Sequence, residues 1–209
     1  MPAANVDSLD AAISEADTSA RLLGWKGYHG KCRVVRMAKL SAFNFKRWID
    51  EHRHLLKPPV GLVPVWTDRM FMVSVVGGPN VRKDYHVNPT EEFFYQLEGD
   101  MTLKLIEDGE RVDMPIREGE VFLLPPMVPH SPQRPANTIG LLVEHQRPAG
   151  QNDSIRFYCD QCDHIIFDKS VYMTDLSLLK PILEDFWSSS QAKTCDKCNA
   201  VLEPPPKPA

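Results

Sequence analysis

Between Phe71 and His145 the chain runs as short apolar stretches cut at close intervals by turn residues, a punctuation that excludes long helices over this region. Phe71-Met-Val-Ser-Val-Val76 ends at Gly77-Gly-Pro-Asn80, and Glu92-Phe-Phe-Tyr-Gln-Leu97 ends at Glu98-Gly99-Asp100. Met101 to Ile106 alternates in polarity and turns at Asp108-Gly109, as a half-buried hairpin strand should. Val112 to Ile116, a turn at Arg117 to Glu120, Val121 to Leu124 and Ile139 to His145 complete the series. The pattern predicts a mostly β fold, with seven or eight strands in a jelly-roll sandwich or barrel. A content of 18 prolines against 11 glycines suits short strands joined by stiff turns.

Two helices flank this region. Phe45, Trp48, Ile49, His52, Leu55 and Leu56 share one face, predicting an amphipathic helix over 44 to 56 that Lys57-Pro58-Pro59 stops. Leu178, Leu179, Ile182, Leu183, Phe186 and Trp187 repeat in the same way, with Asp175 or Ser177 as a cap and Pro181 admissible in the first turn. Turn formers crowd Arg147 to Asp153 and place a boundary there. The expected organisation is a weakly structured extension over 1–36, with Met37 as an alternative start, a β domain over 37–150 and a tail over 151–209 that ends in the stiff Pro204 to Pro208.

With 24 basic and 28 acidic residues, the net charge of -4 speaks against a nucleic-acid partner. No apolar run is long enough to span a membrane and no signal peptide opens the chain; Asp7, Asp10, Glu15 and Asp17 are foreign to a transit peptide. A cytosolic protein with no membrane partner is expected. Four of the five cysteines fall as Cys159-x2-Cys162 and Cys195-x2-Cys198, 32 residues apart, the spacing of a four-thiolate metal site in a reducing compartment. Four thiolates close a tetrahedron, so this site is expected to be structural and to take zinc or iron. Cys32 stands alone as an ordinary thiol, and His164 is left out of the ligand set because four cysteines suffice.

His86 and Glu92 bracket a proline-containing turn, and His130 follows the strand ending at Leu124. Strand ends that converge at a barrel mouth would bring two imidazoles and a carboxylate to one face of a metal, a set suited to Fe(II) with open positions for substrate and O2. His29, His52, His54 and His145 are read as ordinary polar residues.

The spacings His86-x5-Glu92-x6-Gly99 and Gly119-x5-Pro125-x4-His130 resemble the two motifs of the cupin superfamily. The chain departs from them at Asn88, where a further histidine is usual, at Met127, where glycine is usual, and at Arg134, where asparagine is usual. The runs Gly77 to His86, Glu91 to Leu97, Phe122 to Pro126 and His130-Ser-Pro-Gln-Arg-Pro135 resemble the 3-hydroxyanthranilate 3,4-dioxygenase family, as do Phe43 to Glu51 and Leu55 to Gly61. The resemblance runs from about Phe43 to the second cysteine pair. It implies that His86, Glu92 and His130 bind the catalytic iron, that Arg134 and Glu144 hold the substrate together with Glu92, and that Arg82 lines the dioxygen side. It also implies a rubredoxin-like tail site, a homodimer, and a step of tryptophan breakdown toward quinolinate and NAD. The implied reaction inserts both atoms of O2 between ring carbons 3 and 4 of 3-hydroxyanthranilate, giving 2-amino-3-carboxymuconate semialdehyde.

Elementary chemistry agrees with these roles. A substrate carboxylate beside the metal calls for a planar cationic fork, which Arg134, four residues from a ligand, can present. Glu144, inside the apolar run Leu141 to His145, is costly to bury without a partner such as a substrate amine or hydroxyl. Two other readings compete: a cupin oxygenase acting on a thiol or another small acid, and a non-catalytic regulator that uses its cysteine tail. Use of both Arg134 and Glu144 by the ligand discriminates against the first, and the acidic balance stands against the second.

Overall fold

The computed structural model describes residues 42–58, 61–66, 70–173 and 178–206. The chain divides into the units Met1–Ala42 and Phe43–Ala209, and the description that follows concerns the second. The expectations for the 1–36 extension, Met37, His29, Cys32, Asp175 and Ser177 lie outside the described residues.

Helix α1, Phe45–His52, begins where the Asn44 side chain accepts a hydrogen bond from the Arg47 N–H at 2.9 Å, and it buries Ile49. It is shorter than the predicted 44–56 because Arg53–Leu55 tightens into a 3-10 turn.

Eleven strands follow among the described residues: β1 Leu62–Trp66, β2 Phe71–Gly77, β3 Asp84–Val87, β4 Glu92–Glu98, β5 Met101–Glu107, β6 Glu110–Ile116, β7 Val121–Leu124, β8 His130–Gln133, β9 Ile139–His145, β10 Asp153–Tyr158 and β11 Ile165–Val171. They form two antiparallel sheets, ordered β1-β2-β9-β4-β7 and β11-β10-β3-β8-β5-β6. The mostly β, two-sheet expectation holds, with more strands than the seven or eight predicted. β3 is buried at all four positions and so lacks alternation, while β1 and β8 carry Pro64 and Pro132. β1 tolerates its proline as an edge strand.

The core includes Phe94, Met101, Leu103, Leu105, Ile116 and Leu124. Beyond Arg147 the chain turns back into the same architecture: β10 pairs with β3, so the expected boundary near residue 150 lies at a turn between strands. Helix α2, Leu179–Ser188, and the short α3, Ser190–Lys193, lie between the cysteine pairs, as predicted for one helix. Leu178 precedes α2 without a side-chain cap bond. Phe186 stacks on Phe157 at 3.6 Å between ring centroids, in a cluster with Ile155, Met173 and Leu202. Among the described residues no helix is long and apolar enough to cross a membrane.

Candidate active site

The alternation of side chains along a strand builds this site. His130 and Arg134, four residues apart at the β8 end, take one side of the pleat, and His130 sits directly opposite His86 of β3. In the other sheet Glu92 lies opposite Glu144, which brings two acidic residues together across β4 and β9. A histidine pair from one sheet thus faces a carboxylate pair from the other. Glu92 Oε1 lies 3.2 Å from His130 Nε2 and 3.6 Å from His86 Nδ1. One ligand atom from each of His86, Glu92 and His130 falls within 4.8 Å of the others, and all three residues are buried. Two imidazole nitrogens and one carboxylate oxygen make a set that fits a divalent metal with positions left over.

Burial lowers the His86 pKa against the pull of Asp153 and Glu92, which favours the neutral ring a metal needs. Burial also works against the charged form of His130, yet the Glu92 carboxylate beside it raises its pKa overall. Glu92, for which burial alone would act upward, is held below the ordinary carboxylate range by His130, His86 and the Asn88 amide. Asn88 donates to Glu92 Oε1 at 2.7 Å and accepts from the Thr90 N–H at 2.8 Å. The position where the superfamily usually has a further histidine thus orients a carboxylate. Met127, where glycine is usual, has φ of 67°, the left-handed backbone that glycine adopts without strain.

A cavity of about 850 Å³ opens over the triad, and Arg82, Arg134 and Glu144 line it with Phe94, Pro132 and Leu142. Every predicted barrel-site residue therefore reaches one space. Arg134 is 3% exposed; its Nη1 donates to Gln96 Oε1 at 2.9 Å, while its Nε has no hydrogen-bond partner. Burial brings its pKa down to about 10, so it stays a cation at neutral pH. Arg82 is paired with Asp84. Glu144 is pushed up to about 7 by burial and then by the Glu92 charge, against the pull of Arg147.

Sequence reasoning missed three parts of this site. Arg147 and Asp153, read as components of a linker, are both buried; Asp153 Oδ2 lies 2.6 Å from His86 Nε2, and Arg147 donates to Asp153 and to Glu144. Charged residues among turn formers gave no signal, because their burial depends on β10 returning to the sheet. The second part is Gly140, where a Cβ would stand 2.7 Å from Arg134 Nη1 and 2.8 Å from Gln96 Oε1. The third is α2, whose Leu179, Leu183 and Trp187 line the outer cavity. Its apolar period was legible, but not that its face meets the barrel mouth.

The four tail cysteines also converge. Sγ separations are 3.5 Å for Cys159 and Cys198, 3.6 Å for Cys162 and Cys198, and 3.7 Å for Cys162 and Cys195. A tetrahedral ion with metal–sulfur bonds of about 2.3 Å requires edges of about 3.8 Å, so the tetrad fits. Matching turns carry it: the Cys159 N–H donates to His164 O and the Cys195 N–H to Ala200 O, each at 2.8 Å, with Asp163 and Asn199 both at positive φ. Burial opposes the Cys159 thiolate, but the Gln161 and Cys162 N–H groups bring its pKa down to about 7. His164 pairs with Asp196 at 2.9 Å and stands outside the tetrad.

Residues 37–187 match the family model described as 3-hydroxyanthranilic acid dioxygenase. A 3-hydroxyanthranilate 3,4-dioxygenase of Ruegeria pomeroyi is 53% identical over 174 residues, covering 81% of this chain and 97% of its own length. One from Jannaschia sp. is 55% identical over 174 residues with the same two coverages. Among solved structures, the hydroxypropylphosphonic acid epoxidase of S. wedmorenis aligns over 41% of this chain and 44% of its own, at 20% identity and a TM-score of 0.30.

Proposed function

The chain belongs to the 3-hydroxyanthranilate 3,4-dioxygenase family, and from this membership we infer that it opens the ring of 3-hydroxyanthranilate with O2 on an Fe(II) ion held by His86, Glu92 and His130. Both oxygen atoms enter the product, 2-amino-3-carboxymuconate semialdehyde, so no external reductant is consumed. Bound iron supplies a centre that gathers ring and O2 and lets electron density pass between them.

The rest is the work of the chain. The observation that carries the substrate assignment is Arg134, a buried guanidinium that lines the cavity over the triad and, among the described residues, pairs with no carboxylate. A carboxylate satisfies it and, through the planar fork, fixes the ring's orientation. Glu144, pushed up to about 7, is suited to accept a proton from the substrate hydroxyl near neutral pH. Arg82, steadied by Asp84, brings positive charge to the side where negative charge develops on oxygen. Phe94, Pro132 and Leu142 give the ring apolar walls. A thiol substrate without an acid group leaves Arg134 unmet, which favours the aminophenol acid over the competing cupin chemistry.

The tail tetrad holds one structural ion, zinc or iron, and contributes the free energy of metal binding to folding. A homodimer belongs to this proposal, supported by the exposure of Trp66, Met70 and Phe71 at one end of the β1-β2 pair.

Anaerobic loading with Fe(II), followed by O2 and 3-hydroxyanthranilate, should give one O2 consumed per product formed, read by ultraviolet absorbance. His86→Ala, Glu92→Ala and His130→Ala should each lose turnover while remaining folded. Near-native turnover with stoichiometric iron in any one of them would refute the triad.

A further inference from the structure

Two opposite charges lie buried beside the triad with no part in the reaction as described. Asp153 opens β10 and is fully buried; Arg147 comes from the turn that precedes it. Arg147 Nε donates to Asp153 Oδ1 at 2.7 Å and Nη2 to Oδ2 at 2.8 Å, so the pair satisfies itself with bidentate geometry. Arg147 Nη1 also donates to the His145 carbonyl at 2.9 Å, and each partner makes one further side-chain contact, the two falling on different halves of the site. Asp153 Oδ2 meets His86 Nε2 at 2.6 Å, and Arg147 Nη2 donates to Glu144 Oε1 at 3.0 Å. These further contacts help offset the cost of burying the two charges, and they also tie the pair to the metal-site histidine on one side and to the Glu144 carboxylate on the other.

We propose that Asp153 and Arg147 form a positioning clamp: Asp153 fixes the ring and tautomer of the metal ligand His86, and Arg147 fixes the Glu144 carboxylate against the substrate. A neutral imidazole carries one ring proton. With that proton on Nε2 and donated to Asp153, Nδ1 keeps its lone pair on the side of Glu92, 3.6 Å from Oε1. Metal ligation and substrate orientation thereby share one rigid anchor, brought in by the strand that also begins the cysteine tail. The proposal rests on the assignment of His86, Glu92 and His130 as metal ligands.

The test compares the full-length wild type with Asp153→Asn, Asp153→Glu and Arg147→Lys, using His86→Ala as reference. Fe(II) alone is titrated anaerobically against a competing chelator, and kcat and KM for 3-hydroxyanthranilate are measured separately. Asp153→Asn should weaken Fe(II) binding at the triad by about 10- to 100-fold, and Asp153→Glu should recover part of the loss. Arg147→Lys, which removes the fork, should raise KM. Wild-type Fe(II) affinity in Asp153→Asn, with His86→Ala still losing its metal, would overturn the clamp and leave the triad standing. Metal retained by His86→Ala would refute the triad, and the clamp with it. An unchanged KM in Arg147→Lys would overturn the shared anchor. Should Asp153→Asn fail to fold, nitrogen-15 NMR of histidine in the unaltered metal-free protein decides: His86 should be the Nε2–H tautomer, and an Nδ1–H tautomer would overturn the proposal.

Discussion

Gly140 and Arg134 show how one missing side chain can set the place of a buried guanidinium in the candidate active site. The guanidinium lies where a Cβ at position 140 would stand, and Gln96 completes the fit from β4. Gly140→Ala should therefore displace the fork and lower kcat/KM for 3-hydroxyanthranilate by about 10- to 200-fold, the equivalent of a charge-assisted hydrogen bond of about 1.5–3 kcal/mol. Arg134→Ala should lower it at least as far with iron still bound, and unchanged steady-state kinetics would remove Arg134 from the substrate. Glu144 supplies a pH dependence. Its carboxyl, held near 7 in the folded chain against the ordinary value of 4.5, keeps a proton that the unfolded chain has released. The resulting stability is full below the ordinary range and is lost as pH rises through about 7. The metal-free wild type should thus lose melting temperature across that window relative to Glu144→Gln; parallel curves would show that the carboxyl is not so shifted.

At the scale of elements, α2 joins the two metal sites. It lies between the cysteine pairs, packs Phe186 on Phe157, and presents Leu179, Leu183 and Trp187 to the cavity. Its apolar spacing was readable in the sequence because one face of a helix repeats every three or four residues. What that face covers was not readable, since the cavity and β10 come from distant parts of the chain. Replacing Cys159 and Cys162 by Ser should empty the tail site and lower the thermal midpoint, while turnover per catalytic iron persists, because the two ligand sets share no residue. KM should rise as the α2 wall loosens. Collapse of kcat per iron in freshly purified protein, with the triad loaded, would refute a structural role for the tail.

For the molecule as a whole, the return of β10 to the sheet decides how the tail behaves. It pairs with β3 on one side and β11 on the other, and Arg111 of β6 donates to the Cys159 carbonyl at 2.9 Å. Strand pairing across this seam makes residues 43–209 one compact unit, although barrel and tail keep separate apolar clusters. Calorimetry of the metal-loaded protein should show one cooperative transition spanning barrel and tail. A separate early transition of the tail, with the barrel intact, would contradict that coupling.

Which residues make up the two candidate ligand sets was legible in the sequence alone. The spacing of His86 and Glu92, and of the cysteines within each pair, is local and limits which side chains can share a ligand set, while His130 and the partnering of the two cysteine pairs were expected from the motif match and not from local geometry. Arg134 was expected near the triad from its place four residues after His130; the strand that sets its side, His130–Gln133, was not predicted. Only the tertiary structure decided that Asp153 and Arg147 are buried beside His86, that Gly140 clears room for Arg134, and that α2 walls the cavity. Each of these contacts joins residues from different strands, turns or helices, and the register and crossing of those elements are settled by packing between sheets, a balance that no local stretch of sequence encodes.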